Sequence, residues 1–204
     1  MNAIEICSNA LIRLGASPIQ SFNDTSDTAV ACKNIYPVKS NYILSSFPWR
    51  FTMKFKQLSR LSEKPEMQWS YKYNMPSDKV QAGFPAVYVS SDIGASPINE
   101  YAIIGNFLMS DSPEIYVQYQ YRPDETLWPH YFTELMIQVM SCELSMNITD
   151  NATLRQSLSY ETYGVPSEGG MGGLFGRAMN LDSKDSPTQT LQDNSLLLAR
   201  FEGV

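Results

Sequence analysis

The first fifty residues carry two helical patterns that stop at an aromatic segment, and this order constrains the fold more than any other feature. In the first pattern, apolar side chains recur every three or four residues, at Ile4, Cys7, Leu11 and Leu14. This spacing predicts a helix with one apolar face. Asn2 and Glu5 have the spacing of a capping box at its start, and Gly15 suits its end. We therefore expect an amphipathic helix at the beginning of the chain.

The second helical pattern begins near residues 25–26 and ends before Pro48. Pro37 lies inside the pattern, where it removes a backbone donor, so the sequence predicts a kink or a break there. Pro48 disfavours helical geometry at Phe47, and the segment 49–51 predicts an aromatic plug at the end of the helix. The large apolar side chains, which we expect to form one buried stripe, are Val30, Ile35, Val38, Tyr42, Ile43 and Phe47.

The middle of the chain has the pattern of short β-strands. Six segments are rich in aromatic and β-branched residues: 53–58, 69–75, 86–90, 101–104, 107–110 and 115–121. Prolines stand between them, as is typical of separate short strands. Gly105-Asn106 fits a two-residue hairpin turn, and apolar residues alternate from Ile115 to Tyr121. These features predict a small, mostly antiparallel sheet inserted between helical segments.

A helical pattern returns in the second half of the chain. It begins near Leu127 or Trp128, with Pro129 in its first turn. Its apolar stripe is wide, which predicts a largely buried helix. Thr149 or Asp150 is expected to cap a fourth helix.

The C-terminal segment has a different composition. Residues 169–173 read Gly-Gly-Met-Gly-Gly, for which we expect a flexible linker, and a polar segment follows. Together the patterns predict an α+β fold: an antiparallel bundle of about four helices, an inserted small, mostly antiparallel β-sheet region and an extended C-terminal tail. The predicted parts are a first helical half at 1–51, a β-rich insertion at 52–126, a second helical half at 127–163 and a Gly-rich break with a C-terminal arm at 164–204.

Net charge and composition exclude some classes of function for this chain. A formal net charge of −6 argues against a protein that reads nucleic-acid sequence, which needs basic side chains against phosphates. Charged residues are only 18% of the chain and hydrophobic residues 43%, which favours burial of surface against partners. No apolar run reaches membrane-spanning length and the first helix does not resemble a signal peptide. We expect no membrane contact and synthesis in a reducing cytoplasm.

Few residues suggest metal binding or catalysis. Cys7, Cys32 and Cys142 are isolated and predict buried, reduced thiols, so no metal site and no cofactor are expected. His130 is the only histidine, and a capping or packing role is expected of it.

Two pairs of carboxylates leave one chemical alternative open. Glycosidases use two carboxylates to cleave a glycosidic bond. The candidate pairs in this sequence are Asp111 with Glu114 and Asp124 with Glu125. Both pairs lie in turn-rich segments, where acidic residues are also common for purely structural reasons. A cell-wall hydrolase is therefore retained as the alternative to a structural protein.

Several motifs stand in a characteristic order between residues 1 and 163. They are Asn2-Ala3-Ile4-Glu5-Ile6-Cys7, Ala10-Leu11, Leu14-Gly15, Pro18-Ile19, Asp24, Ser26, Ala31-Cys32, Tyr36-Pro37, Phe47-Pro48-Trp49-Arg50-Phe51, Tyr71-Lys72-Tyr73-Asn74-Met75-Pro76-Ser77-Asp78 and Ile115-Tyr116-Val117-Gln118-Tyr119. In this order and spacing they resemble the tail tubular protein A family, the head-to-tail adaptors of short-tailed bacteriophages. Each motif is weak alone, and their order carries the resemblance. The family's last helix continues where this chain has the Gly-rich segment 164–173.

The resemblance implies a structural protein of the virion and no enzymatic activity. It implies a dodecameric ring between the portal protein and the tail nozzle, which is formed by a tail tubular protein B-like partner. In such a ring the helical bundle lines the ring and the β-region faces the nozzle. The ring continues the channel through which DNA passes without sequence-specific binding. The tail of the virion, at the head-to-tail interface, is the location implied.

The end of the chain supplies a candidate interaction segment. An apolar cluster, Leu196, Leu197, Leu198 and Phe201, lies beyond a polar, proline-containing stretch. We hypothesise that it is an arm that engages the portal or a neighbouring subunit, and the alternative is that it folds back onto its own bundle. A binding module unrelated to virions is a third possibility for the whole chain.

Overall fold

A computed structural model describes residues 1–63, 65, 68–80, 86–92 and 95–184. Within these residues the chain has a mixed α+β fold with five α-helices and two three-stranded sheets, which confirms the predicted class. The helices are α1 (Ala3–Arg13), α2 (Asp27–Ser46), α3 (His130–Thr149), α4 (Ala152–Tyr163) and α5 (Gly173–Lys184). The strands are β1 (Met53–Gln57), β2 (Tyr71–Asn74), β3 (Ala86–Tyr88), β4 (Ala102–Ile104), β5 (Phe107–Ser110) and β6 (Tyr116–Gln120). Short 3₁₀ turns lie at Arg50–Thr52, Glu125–Leu127 and Pro166–Glu168.

Helix α1 begins and ends as its sequence predicts. The Asn2 side chain accepts a hydrogen bond from the Glu5 backbone N–H at 2.9 Å, and the Glu5 carboxylate accepts one from the Asn2 N–H at 2.9 Å. Gly15 follows the helix with a φ of 77°, a conformation that glycine adopts without strain. The apolar face of α1 packs mainly against α3, and α3 also contacts α2, α4 and α5. The buried helix α3 is therefore the centre of the helical layer.

Helix α2 differs from its prediction in two respects. The predicted kink is not tested, but the predicted break is absent, since the helix runs for 20 residues through Pro37, which lies on its exposed side. The predicted stripe is wrong at Val30, Val38 and Tyr42, which are exposed, and the burial predicted for Ile43 is confirmed. The buried positions are Ala29, Cys32, Tyr36, Ser40, Ile43 and Leu44. Small side chains occupy three of these positions and allow the close approach of helices that ridges-into-grooves packing requires.

The aromatic plug after α2 is confirmed and closes the helical core. Trp49 is fully buried, and its ring makes edge contacts with Phe132 and Phe175 at centroid distances of 5.0 and 5.7 Å. Its indole N–H donates a hydrogen bond to the Ile43 carbonyl at 2.9 Å. That carbonyl belongs to the last turn of α2, where helices lack internal donors. The plug therefore packs the core and caps the helix at once.

The strands form two sheets where the sequence predicts one. The first sheet has the order β1-β6-β3 and the second β2-β5-β4, and every pairing is antiparallel. Gly105-Asn106 forms the predicted turn between β4 and β5, with Gly105 at a φ of 60°. The chain after β1 leaves β6 and pairs with β2, where the Leu61 N–H donates to the Lys72 carbonyl at 2.8 Å. This crossing divides the strands into two sheets.

The two sheets share a second apolar core. Its buried members are Leu58, Tyr73, Val87, Leu108, Ile115, Val117 and Tyr119. The alternation predicted from Ile115 onward is confirmed for Ile115, Val117 and Tyr119, which all point into this core. Gln120 breaks the alternation, since it is buried on the other side of its strand.

The end of the described chain departs from the prediction. Asn151 caps α4, whereas Asp150 ends α3 in a left-handed conformation with a φ of 48°. The extended tail expected from residue 164 is not confirmed, because Gly173–Lys184 form α5. Phe175 and Ala178 on this helix belong to the helical core. The predicted arm, Leu196, Leu197, Leu198 and Phe201, lies outside the described residues.

Candidate functional site

The first carboxylate pair of the hydrolase alternative is engaged in local structure. Asp111 accepts hydrogen bonds from the backbone N–H and the hydroxyl of Ser70, both at 2.8 Å. These bonds tie the start of β2 to the end of β5. Glu114 accepts a bond from the Tyr116 hydroxyl at 3.3 Å.

The second pair also serves the local fold. Asp124 caps a short turn, accepting from the Thr126 N–H and hydroxyl at 2.9 and 2.6 Å. These hydrogen bonds lower the pKa of Asp124, whereas a general acid needs a raised pKa. Glu125 accepts from Arg122 at 2.8 Å and from the Tyr36 hydroxyl at 3.3 Å. Neither carboxylate is arranged as a glycosidase acid.

The cysteines are buried as predicted, whereas the histidine is exposed, so the packing role expected of it is not found. Cys7, Cys32 and Cys142 are buried and free. A hydrogen bond with Cys32, together with burial, raises the pKa of the Cys7 thiol. His130 is the exposed first residue of α3. Within the part of the chain that the structure describes, His, Cys, Asp and Glu side chains form no group of three or more that can hold a metal ion.

The outward side of α2 carries an unusual apolar surface. Val38 is 65% exposed, Tyr42 60% and Val30 48%. Val38 and Tyr42 are four positions apart and lie on the same side of the helix, and Val30 lies about two turns before Val38. We call Val30, Val38 and Tyr42 the α2 face.

The α2 face continues into a groove between α2 and the segment before α5. This groove has a volume of about 390 Å³ and is lined in part by Tyr42, Tyr163 and Met171. Met171 is itself exposed. On the floor, Lys39 forms an ion pair with Glu143 at 2.7 Å, so the two charges in the groove neutralise one another. The α2 face and the groove form one mainly apolar, concave surface.

A second apolar surface lies on the first sheet. The Phe55 ring stacks on the Tyr116 ring at 5.8 Å and contacts the Tyr88 ring at 5.7 Å. One ring comes from each of β1, β6 and β3. Phe55 is 52% exposed, and the cluster belongs to neither buried core. We call these three residues the aromatic face.

Hydrogen bonds fix the helical layer against the first sheet. The Gln120 amide donates to the Phe47 carbonyl at 2.8 Å and to the Thr52 hydroxyl at 3.0 Å. Arg122 donates to the Ser40 hydroxyl at 3.1 Å. These bonds join the end of β6 to α2, so they fix the position of the α2 face relative to the aromatic face.

Two charged clefts lie at the ends of the second sheet. The basic cleft, of about 580 Å³, is lined by Lys56, Lys79 and uncharged residues. The acidic cleft, of about 420 Å³, is lined by Glu100, Asp111 and uncharged residues. They have opposite charge, and residues at the two ends of β5 contribute to them, Asn106 to the basic cleft and Ser110 to the acidic cleft.

Sequence reasoning found some of these residues and missed others. It placed Phe55, Tyr88 and Tyr116 on strands without joining them into a cluster, because the register between distant strands is not local information. It expected Val38 and Tyr42 to be buried, whereas they form a surface. The signal that was available is the run of small residues on the opposite side of α2, since small residues favour a close helix contact.

Comparison with known proteins adds no family assignment. No protein-family model matches this chain, and no curated protein matches it. None of the described helices is both long and apolar enough to cross a membrane.

Proposed function

We propose that this chain is a structural head-to-tail adaptor of a bacteriophage virion. It joins a portal protein on one side to a tail nozzle, formed by a tail tubular protein B-like partner, on the other. Several copies form a ring, a dodecamer by the resemblance of the sequence. The ring lies at the head-to-tail interface and continues the DNA channel.

The observation that carries the proposal is the pair of separate apolar surfaces. A monomer seldom exposes clustered large apolar side chains without a binding function. The α2 face lies on the helical layer, and the aromatic face lies on the first sheet. A connector needs two surfaces of this kind because it binds different neighbours at the same time. Tyr and Phe are also residue types enriched in the cores of protein interfaces.

The charge of the chain is compatible with a conduit for DNA. A net charge of −6 disfavours persistent contact with phosphates. A channel protein has to let DNA pass, so weak attraction suits this role. DNA is therefore a passing cargo in this proposal and not a bound ligand.

The alternative, a tail-associated cell-wall hydrolase, has less support. Asp111 and Asp124 are both committed to hydrogen bonds that organise their own loops. Zymography on peptidoglycan tests the alternative directly. Clearing by the parent chain that is lost in Asp111→Ala and Glu114→Ala variants would establish it in place of the adaptor.

Surface variants test the adaptor proposal. Val38→Lys with Tyr42→Lys places two charges on the α2 face, and we expect ring formation on the cognate portal to be lost. Phe55→Lys places one on the aromatic face, and we expect the ring to form but the nozzle protein not to bind. A desolvated, unpaired charge in an interface is costly, which is the physical reason for both losses.

Leu127→Lys is the matched control, because Leu127 is 66% exposed and belongs to neither surface. It is expected to bind both partners as the parent does. Binding is measured by native mass spectrometry of purified mixtures. Portal and nozzle binding that survive in all variants would contradict the proposal.

A further inference from the structure

The basic cleft is chemically distinct within an acidic chain. Among the described residues it is lined by no acidic side chain, and its amide and hydroxyl groups come from Gln57, Ser59, Asn74, Ser77 and Asn106. Lys56 is exposed and Lys79 is half-buried, and neither forms an ion pair with any described residue. Two unpaired ammonium groups with neighbouring amides are suited to bind carboxylates.

The acidic cleft has the complementary character. Glu100 and Asp111 line it together with Ile98, and its described lining includes no lysine or arginine. Asp111 is held by Ser70, whereas Glu100 is exposed and forms no ion pair with a described residue. The carboxylate of Glu100 is therefore available to a cation outside the chain.

The two clefts lie at opposite ends of the same strand. Asn106, immediately before β5, lines the basic cleft, and Ser110, the last residue of β5, lines the acidic cleft. At about 3.4 Å per residue the ends of this strand are separated by on the order of 15 Å. The two lysines themselves come from β1 and from the segment after β2, so the positive cleft lies between the edge of the first sheet and the turn before β5, and the negative cleft lies at the far end of β5.

We propose that the basic cleft of one copy of this chain binds the acidic cleft of the next copy. Such a contact is heterologous, since it joins two different patches, and repeated from copy to copy it forms a ring when the rotation between neighbours closes. Each copy uses both of its clefts, so no charged cleft remains unpaired inside a closed ring. This inference rests on the proposed adaptor role, in which the copies form a ring.

A second copy is the occupant that the charges favour. The acidic cleft offers carboxylates at the other end of β5, which gives both halves of the contact from one chain. Duplex DNA is a poorer occupant, because only two lysines line the basic cleft and the chain carries a net charge of −6. Duplex binding is treated below as an outcome that overturns the proposal.

Charge reversal on each side gives a decisive test. The basic-cleft variant is Lys56→Glu with Lys79→Glu, and the acidic-cleft variant is Asn99→Lys with Glu100→Lys, which leaves Asp111 intact. Sedimentation equilibrium of the full chain measures self-association at low ionic strength. We expect each variant alone to self-associate at least about tenfold more weakly than the parent, since like charges then meet.

Mixing the two variants is expected to restore association. The unchanged acidic cleft of the first variant meets the unchanged basic cleft of the second, and the two reversed clefts also match each other. Lys33→Glu with Lys184→Glu is the control for the basic-cleft variant, because it makes the same change in net charge away from both clefts. It is expected to associate as the parent does, and circular dichroism checks that all variants are folded.

Four results would overturn the pairing. The first is a parent chain whose self-association has a dissociation constant above about 1 mM, and the second is a control variant that loses association as the cleft variants do. The third is a mixture of the two cleft variants that stays dissociated. The fourth is a basic-cleft variant that loses binding to a short DNA duplex while its self-association is unchanged. Portal binding by the parent in any of these cases leaves the adaptor role standing, so the two proposals fail separately.

Discussion

Asp182 on α5 is an almost fully buried carboxylate that fastens the last described helix to the rest of the core. Its two oxygens accept the Arg50 backbone N–H at 3.1 and 3.0 Å, and one of them accepts the Tyr131 hydroxyl at 2.7 Å. Arg50 begins a 3₁₀ turn, so Asp182 supplies the acceptor that the free N–H of this turn needs. Removing the carboxylate leaves two partly buried donors, the Arg50 N–H and the Tyr131 hydroxyl, without this partner.

The expected loss follows from these contacts. Hydrogen bonds to a charged group contribute about 1.5–3 kcal/mol each, so Asp182→Ala should reduce the free energy of unfolding by about 3–6 kcal/mol. Tyr131→Phe removes one donor and should cost about half as much. Ser183→Ala changes the exposed neighbour of Asp182 and should stay within about 0.5 kcal/mol of the parent.

Urea denaturation followed by tryptophan fluorescence measures these differences, because Trp49 and Trp128 are buried in the helical core. Amide hydrogen exchange adds a local measurement, since α5 should exchange faster in Asp182→Ala if the carboxylate holds it in place. A loss below about 1 kcal/mol, with α5 exchange unchanged, would refute the reasoning.

Two further predictions concern the plug and the pH dependence. Trp49→Phe removes the indole donor that caps α2 and should lower the free energy of unfolding by about 1–3 kcal/mol in the same urea assay; no loss would refute the capping role. Burial alone would raise the pKa of Asp78, but hydrogen bonds from Lys54 and Tyr119 outweigh it and hold the pKa below the ordinary value of 3.8. Because the folded-state pKa is lowered, this stabilisation is present above about pH 3.8 and is lost as the pH falls further. Burial and the bond to Asp78 raise the pKa of Tyr119 to about 12, so its contribution is present below pH 10 and is lost as the pH rises toward 12. Thermal unfolding across both pH ranges, with Asp78→Asn for comparison, checks the two slopes, and identical slopes in parent and variant would contradict this account.

Local signals in the sequence predicted the parts of the fold that depend on neighbouring residues. The capping box at Asn2 and the hairpin at Gly105 are formed by residues within three positions of each other. The six strands were also predictable, because prolines and turn residues separate aromatic and β-branched segments.

The remaining features depend on contacts that periodicity does not encode. Hydrophobicity favoured Val38 and Tyr42 as core residues of α2, whereas the buried positions of this helix include Cys32 and Ser40, whose small side chains let neighbouring elements approach. Helix α5 follows a glycine-rich segment and is fixed by Asp182, a polar residue whose partners are distant in sequence. The same holds for the candidate surfaces, since the aromatic face joins three separate strands.

The mass of the purified chain, alone and mixed with its cognate portal protein, tests the central claim most directly. Native mass spectrometry or light scattering gives this mass without a label. The account predicts a complex in which several copies of the chain assemble on the portal as a ring. A chain that stays monomeric and does not bind the portal would contradict the adaptor role.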